Sequence, residues 1–273
     1  MDPLAPACLA VTWLATALAF LAGRRTRGWT GRRWVPLALF ALAAIGGLVA
    51  VQQRPDLEWR YTPHRLWSHL EFVSFFPFAA LFFGLALPRI PRPSTRRVLH
   101  VFLAVIVAIG LLYCVAHLAL ADYRDLEGEK KDEVYLQSTG YTCSGAAMAT
   151  ALGGHGVPTT EGEMASLACT IPLYGTTDFL SACAVERKLA GLPFHVDLRR
   201  LSWDELRATA VPTLVPMQWS PLVGHMSVVL SFRREGNREF VYLGDPAKEK
   251  YILTREQFLE RWLGYAIVIT PER

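Results

Sequence analysis

Four apolar runs, residues 3–23, 35–51, 72–88 and 98–121, fill the first half of the chain, and none contains Asp, Glu, Lys or Arg. A helix crosses the hydrocarbon of a bilayer with about 20 residues, so each run predicts a transmembrane helix. The two shorter runs borrow length from flanks such as Trp34, and Pro77 interrupts the third. The pattern breaks at residues 122–133, a charged stretch with few large apolar groups. It predicts a solvated linker between a membrane region, 1–121, and a second domain, 134–273.

In the second domain the periodicity changes. Thr142, then Cys143, then an Ala-rich run to Leu152 closed by Gly153-Gly154, predicts a helix with Thr142 as N-cap and Cys143 in its first turn. Thr160-x-x-Glu163, Ser202-x-x-Glu205 and Thr254-x-x-Gln257 are capping-box patterns that open three more helices. Thr176 or Thr177 opens another, ended by Gly191. Runs rich in β-branched and aromatic residues predict strands at 194–198, 213–219, 225–232, 239–243, 251–254 and 265–269. Helices first and strands later indicate an α+β domain, not an alternating parallel fold.

Charge separates the same two halves. Residues 1–121 hold 12 basic and four acidic side chains, residues 122–273 hold 16 and 20. The basic excess therefore belongs to loops between apolar runs, which argues for a membrane lipid partner and against a nucleic-acid surface. The first loop carries Arg24, Arg25, Arg27, Arg32 and Arg33, and the third carries Arg89, Arg92, Arg96 and Arg97, whereas the second has three arginines. Because basic loops stay in the cytoplasm, this bias places both termini, and the second domain, on the extracytoplasmic side of a plasma or inner membrane. Met1-Asp2 offers no basic n-region, so the first run is expected to be a retained span and not a signal peptide. His64, His69, Glu71, His100 and His117 fall near span ends, where such side chains are expected to snorkel or cap.

The five cysteines, 8, 114, 143, 169 and 183, form no C-x-x-C pair and no Cys/His cluster at zinc spacing, so neither metal nor cofactor is expected. Cys8 and Cys114, inside apolar runs, read as small hydrophobes. Cys169 and Cys183 are either a disulfide or two buried thiols. Cys143 is different: unpaired amides and the dipole at a helix start stabilise a thiolate and make it nucleophilic. His225 and Asp245 flank the turn 233–238 at equal distances from residue 235. A hairpin folded there makes them cross-strand neighbours, close enough for the carboxylate to orient the imidazole. Gln137, six residues before the cysteine, has a side-chain amide suited to an oxyanion alongside the Cys143 backbone N–H.

Gln137-Ser-Thr-Gly-Tyr-Thr-Cys143-Ser-Gly-Ala-Ala, a central Gly175-Thr-Thr, Gly224-His225 and Gly244-Asp245-Pro246, in that order, resemble the bacteriocin-processing (double-glycine leader) cysteine peptidases, family thirty-nine of the cysteine class. The resemblance covers roughly residues 134–269. It implies a papain-like fold, Cys143 as nucleophile, His225 as general base then acid, Asp245 as its orienter and Gln137 as oxyanion donor. It further implies a peptide or protein substrate with a small dipeptide before the scissile bond. This chain has Cys143-Ser144 where the family commonly has Cys-Gly, and Thr142 where an acidic residue is common. It also lacks any G-x-x-x-x-G-K loop, so the coupled export of the transporter members is not implied. The expectation is a membrane-anchored cysteine peptidase, a hydrolase with a Cys-His-Asp triad. Its rivals are a transpeptidase or amidase using the same thioester chemistry, and a catalytically silent papain-like module that binds peptides at the membrane.

Overall fold

The computed structural model describes residues 4–29, 32–120, 122–220 and 223–272. The expected segment ends at 1–3, 121 and 273 lie outside them. The chain divides into two compact units, Met1–Leu118 and Ala119–Arg273.

The first unit is helical: α1 (Leu4–Arg25), α2 (Val35–Gln52), α3 (Pro55–Tyr61), α4 (His64–Trp67), α5 (Phe76–Ala86) and α6 (Pro93–Val115), the last running into a π-turn at Ala116–Leu120. Among the described residues, three helices are long and apolar enough to cross a membrane: Leu4–Gly28, Val35–Gln52 and Pro93–Ala119. The expected span at 72–88 is corrected. Residues 72–75 are turn, and the apolar helix is the shorter Phe76–Arg89. Pro77 explains the late start, since a proline lacks the N–H that a helix interior needs and is tolerated in the first turn. At about 1.5 Å per residue the remainder falls short of the roughly 30 Å hydrocarbon layer. Leu9, Val73, Phe76 and Cys114 form a buried cluster joining α1, α5 and α6, with Trp13 stacked on Phe76 at 5.3 Å. His69 and His117, expected to snorkel or cap, are instead buried together, Nδ1 of one 3.2 Å from Nε2 of the other. His117 still belongs to the helical unit, which runs to Leu118, and there its ring finds a polar partner in His69 in place of solvent.

The second unit begins with a small hairpin, β1 (Glu129–Lys131) and β2 (Val134–Leu136), followed by α7 (Cys143–Gly154), α8 (Glu161–Leu167) and α9 (Asp178–Lys188). Then come β3 (Phe194–Arg200), α10 (Trp203–Arg207), β4 (Thr213–Ser220), β5 (Val223–Glu235), β6 (Arg238–Asp245), β7 (Glu249–Thr254), α11 (Arg255–Leu259) and β8 (Tyr265–Pro271). Six strands form one antiparallel sheet in the order β3-β8-β4-β5-β6-β7. β4 and β8 are buried on consecutive residues, 213–217 and 265–269, because helices cover both faces. One face packs Val215, Met217, Val229, Val241, Leu243 and Val268 against Trp203 and Leu206 of α10 and Phe258 of α11. α7 packs on β5 and β4 elsewhere in the unit, and every residue from Ser144 to Leu152 is buried.

Full capping boxes close at Ser202/Glu205 and Thr254/Gln257, and Thr160 and Thr177 cap α8 and α9. Thr142 occupies the N-cap position of α7 but makes no side-chain cap, a departure from expectation. Its hydroxyl is taken up by Thr139, at 3.2 Å from the Thr139 N–H and 3.0 Å from its Oγ1.

The stretch 122–133, expected to be solvated, is held against the second unit. Tyr123 is buried, its N–H donates to Ser166 Oγ at 2.8 Å and its hydroxyl donates to the Thr170 carbonyl at 3.0 Å. The Gly162 N–H donates to the Leu126 carbonyl at 2.9 Å. The charge count hides this, since one tyrosine and one leucine supply the docking groups. Cys183 is buried and Cys169 half-buried, the latter sitting in the left-handed region at φ 49°.

Candidate active site

α7 delivers Cys143 as its first residue. With Thr142 turned toward Thr139, the first-turn amides of α7 are left uncapped by it, and the thiol sits where the helix dipole favours negative charge.

The imidazole arrives on β5. Around the two-residue turn Gly236-Asn237, Glu235 pairs with Arg238, and the ladder runs to Val229–Leu243 and Val228–Gly244 after a register shift between Val229 and Ser231. Continuing one step sets Asp245 opposite Ser227. His225 therefore lies two residues farther along the same face, and the expected direct pairing of 225 with 245 is corrected to a diagonal one. The hairpin centre lies between 236 and 237, not at 235, and the bulge adds a residue to β5. A diagonal separation remains within reach of long side chains. His225 Nε2 stands 2.7 Å from Asp245 Oδ1, with both side chains buried. Oδ1 also accepts the Ala247 N–H at 2.8 Å, which fixes the carboxylate by its own turn.

With Nε2 engaged, Nδ1 is the ring nitrogen left to face Cys143, and thiol and imidazole each shift the other's titration. Burial pushes the Cys143 thiol up. The hydrogen bond and charge of His225, the Met226 backbone N–H and the Ser144 hydroxyl outweigh burial and hold it below the usual thiol range. Burial pushes His225 down, but Asp245 and Cys143 outweigh it and raise it to about 9. Both shifts move the pair toward thiolate beside imidazolium.

Gln137 follows β2. Its backbone N–H donates to the Pro246 carbonyl at 2.9 Å, so the same turn that holds Asp245 also holds this residue. Its Nε2 donates one hydrogen to the Thr139 carbonyl at 2.8 Å and has a second to give.

Trp219, on β4, was not singled out by the sequence reading. Its ring stacks on His225 at 4.1 Å and 25°, while 43% of the residue stays exposed, so it roofs the imidazole against water. A usable signal is the spacing: Trp219 ends one strand-like run and His225 opens the next, with five residues between them. The Met226 N–H and the Ser144 hydroxyl are groups that no spacing pattern exposes. Among the described residues no cluster of His, Cys, Asp or Glu is arranged to hold a metal ion.

Residues 131–273 match the model of the Peptidase C39 family. The chain belongs to that family. It is a cysteine peptidase, and the C39 unit has the α+β, papain-like fold. Among solved structures it is similar to a double glycine motif protease from an AMS/PCAT transporter in complex with the leader peptide, at 19% identity, over 53% of this chain and 94% of that one, TM-score 0.43. The peptidase domain of Streptococcus mutans ComA is 19% identical over 51% of this chain and 99% of that one, TM-score 0.39. The peptidase domain of Streptococcus ComA, a bi-functional ABC transporter involved in a quorum sensing pathway, is 19% identical over 51% and 98%, TM-score 0.43. No curated protein matches the chain.

Proposed function

We propose that Cys143, His225, Asp245 and Gln137 form the catalytic centre of this C39 peptidase, and that the apolar helices tether it to a membrane with the peptidase unit on the extracytoplasmic side. The observation that carries the reading is the convergence of thiol, imidazole and carboxylate: Nε2 of His225 is committed to Asp245 at 2.7 Å, and Cys143 at the mouth of α7 is close enough to the ring for the two to shift each other's titration.

In that centre the Cys143 thiolate attacks the carbonyl carbon of a peptide bond. The oxyanion is met by the free Nε2 hydrogen of Gln137 and the Cys143 backbone N–H, donors of the kind worth about 3–4 kcal/mol in a transition state. The His225 imidazolium gives its proton to the leaving amine as the C–N bond breaks, which leaves a thioester and a neutral imidazole. Water, deprotonated by that imidazole, attacks the thioester and releases a carboxylic acid, with the thiolate and imidazolium restored. Asp245 keeps the ring in the orientation both halves require. The substrate class is a peptide or protein, and membership of the family favours small residues on the acyl side of the scissile bond.

The sidedness rests on α6. This helix begins beside Arg89, Arg92, Arg96 and Arg97 and ends, through the π-turn, at the start of the peptidase unit. That polarity does not depend on whether α5 crosses fully. Arg89 donates to the Thr26 carbonyl, which gathers the two arginine-rich loops at one end of the helical unit.

The test is labelling of spheroplasts with a membrane-impermeant thiol reagent, wild type against Cys143→Ala. Labelling lost in the variant supports both nucleophile and sidedness. Labelling of Cys143 only after lysis overturns the sidedness, and absence of labelling at neutral pH in purified protein overturns the catalytic reading in favour of a silent peptide-binding module.

A further inference from the structure

Among the described residues of the second unit, three side chains of the Asp, Glu and His types are buried: His225, Asp245 and Glu161. The first two serve the proposed chemistry. Glu161 is fully buried with no basic partner, and a carboxylate is retained in such a place only when its oxygens are occupied. Its expected work at the start of α8 would be to face that helix's own amides, but Thr160 already caps them by accepting the Glu163 N–H. Instead both oxygens close on one residue: Oε1 accepts the Ser138 N–H at 2.8 Å and Oε2 accepts the Ser138 hydroxyl at 2.6 Å.

Ser138 sits between the Gln137 amide and the turn that leads to Cys143. Three fixed points therefore hold this short segment: Pro246 on the Gln137 N–H, Glu161 on Ser138, and the Thr139–Thr142 pair. Glu161 is in turn fixed relative to the helix of the nucleophile. A Cβ on Gly145 would stand 2.8 Å from the Glu161 carbonyl oxygen, so α7 and α8 touch through backbone there. The stretch 123–128 closes the other side: a Cβ on Gly162 would strike the Tyr123 carbonyl, and one on Gly128 would come 3.0 Å from Glu161 Oε2. The carboxylate is thus shielded from water at a joint between the nucleophile's helix and the loop bearing the amide.

We infer that Glu161 is the positioning residue that sets Gln137 for the oxyanion, an inference that rests on the proposed roles of Cys143 and Gln137. The two anchoring bonds fix Ser138, and the peptide plane beyond it fixes where the Gln137 side chain leaves the chain. Loss of the carboxylate frees the loop and lets the amide drift, while the thiolate–imidazolium pair, held by α7 and β5, is untouched.

The test compares two reactions of Cys143 in the full chain purified in detergent. Acylation by p-nitrophenyl acetate forms a C–S bond through a tetrahedral oxyanion and releases p-nitrophenolate. Alkylation by iodoacetamide displaces iodide at a saturated carbon and forms no oxyanion. Cys143→Ala supplies the background for both. In Glu161→Leu, similar in volume but without acceptors, acylation is expected to fall about tenfold or more while alkylation stays within about twofold. Glu161→Gln, which accepts the Ser138 N–H through Oε1 and donates to the hydroxyl through Nε2, restores acylation to within about threefold. Should Glu161→Leu fail to fold, Ser138→Ala, which removes one of the two bonds, is expected to lower acylation about threefold with alkylation unchanged. A parallel fall of both reactions, or unchanged acylation in the folded variants, overturns the inference. If the wild type itself exceeds the Cys143→Ala background in neither reaction, the proposed catalytic centre fails first and this inference with it.

Discussion

His225 reaches Asp245 diagonally across the β5–β6 ribbon: the ladder carries Asp245 to a place opposite Ser227, and Nε2 still lies 2.7 Å from Oδ1. The arrangement depends on the bulge between Val229 and Ser231, which adds a residue to β5. Asp245→Asn keeps the shape but removes the charge that supports an imidazolium. Its kcat on a fluorogenic peptide amide ending in Gly-Gly is expected to fall by about 10²-fold or more, with the alkaline limit of activity moving to lower pH as His225 loses its raised pKa. Steady-state kinetics across pH measure both.

Gln137→Ala removes one donor from the oxyanion site and leaves the thiolate–imidazolium pair in place. A fall of about 10²–10³-fold in kcat on the same peptide amide, with little change in KM, is the expected outcome. Equal loss in iodoacetamide alkylation would show that the residue acts on the thiol instead.

The pH dependence follows from two shifts of opposite sign. Cys143 titrates below the usual thiol range and His225 at about 9. Alkylation should rise as Cys143 loses its proton and then stay level. Peptide hydrolysis, which needs the His225 proton for the leaving amine, should share that acid limb and fall near pH 9. For stability, the raised His225 pKa contributes fully below its unfolded value of 6.5 and loses that contribution as pH rises through about 9. The depressed Cys143 pKa works the other way: its contribution is complete above 9.0 and fades as pH falls through the folded value. Thermal melts of wild type against Cys143→Ala across pH 5–10 resolve the two edges.

Trp219→Ala uncovers the imidazole. Since the indole stacks on His225 at 4.1 Å, its removal admits water to the His225–Asp245 bond. A loss of about tenfold in kcat is expected, with Trp219→Phe retaining most of the activity, and kinetics on the peptide amide check it.

The sequence made most of the second unit legible because its signals are local. Capping patterns at Thr160, Ser202 and Thr254 and β-branched runs from 194 to 269 mark elements that the structure contains with longer strands. Cys143 at a helix start and His225 and Asp245 on adjoining strands are likewise read from neighbours in the chain. What escaped depends on distant partners. The register of β5 on β6 turned on one extra residue that no composition reveals. Thr142 reads as a cap, yet its hydroxyl has a nearer partner in Thr139. In the helical unit, hydropathy counted Phe72 to Phe75 with the helix that begins at Phe76, although turn geometry and Pro77 hold them outside it.

The burial of Tyr123 determines where a useful fragment begins. Family similarity starts at residue 131, but the compact body starts at Ala119. A chain cut at 131 leaves the Ser166 hydroxyl, the Thr170 carbonyl and the Gly162 N–H without the partners they have in the intact protein, and bares the surface that Tyr123 covers. Expression of the detached enzyme should therefore retain the dozen residues upstream of the recognisable homology, since they belong to the folded body and not to a disposable spacer.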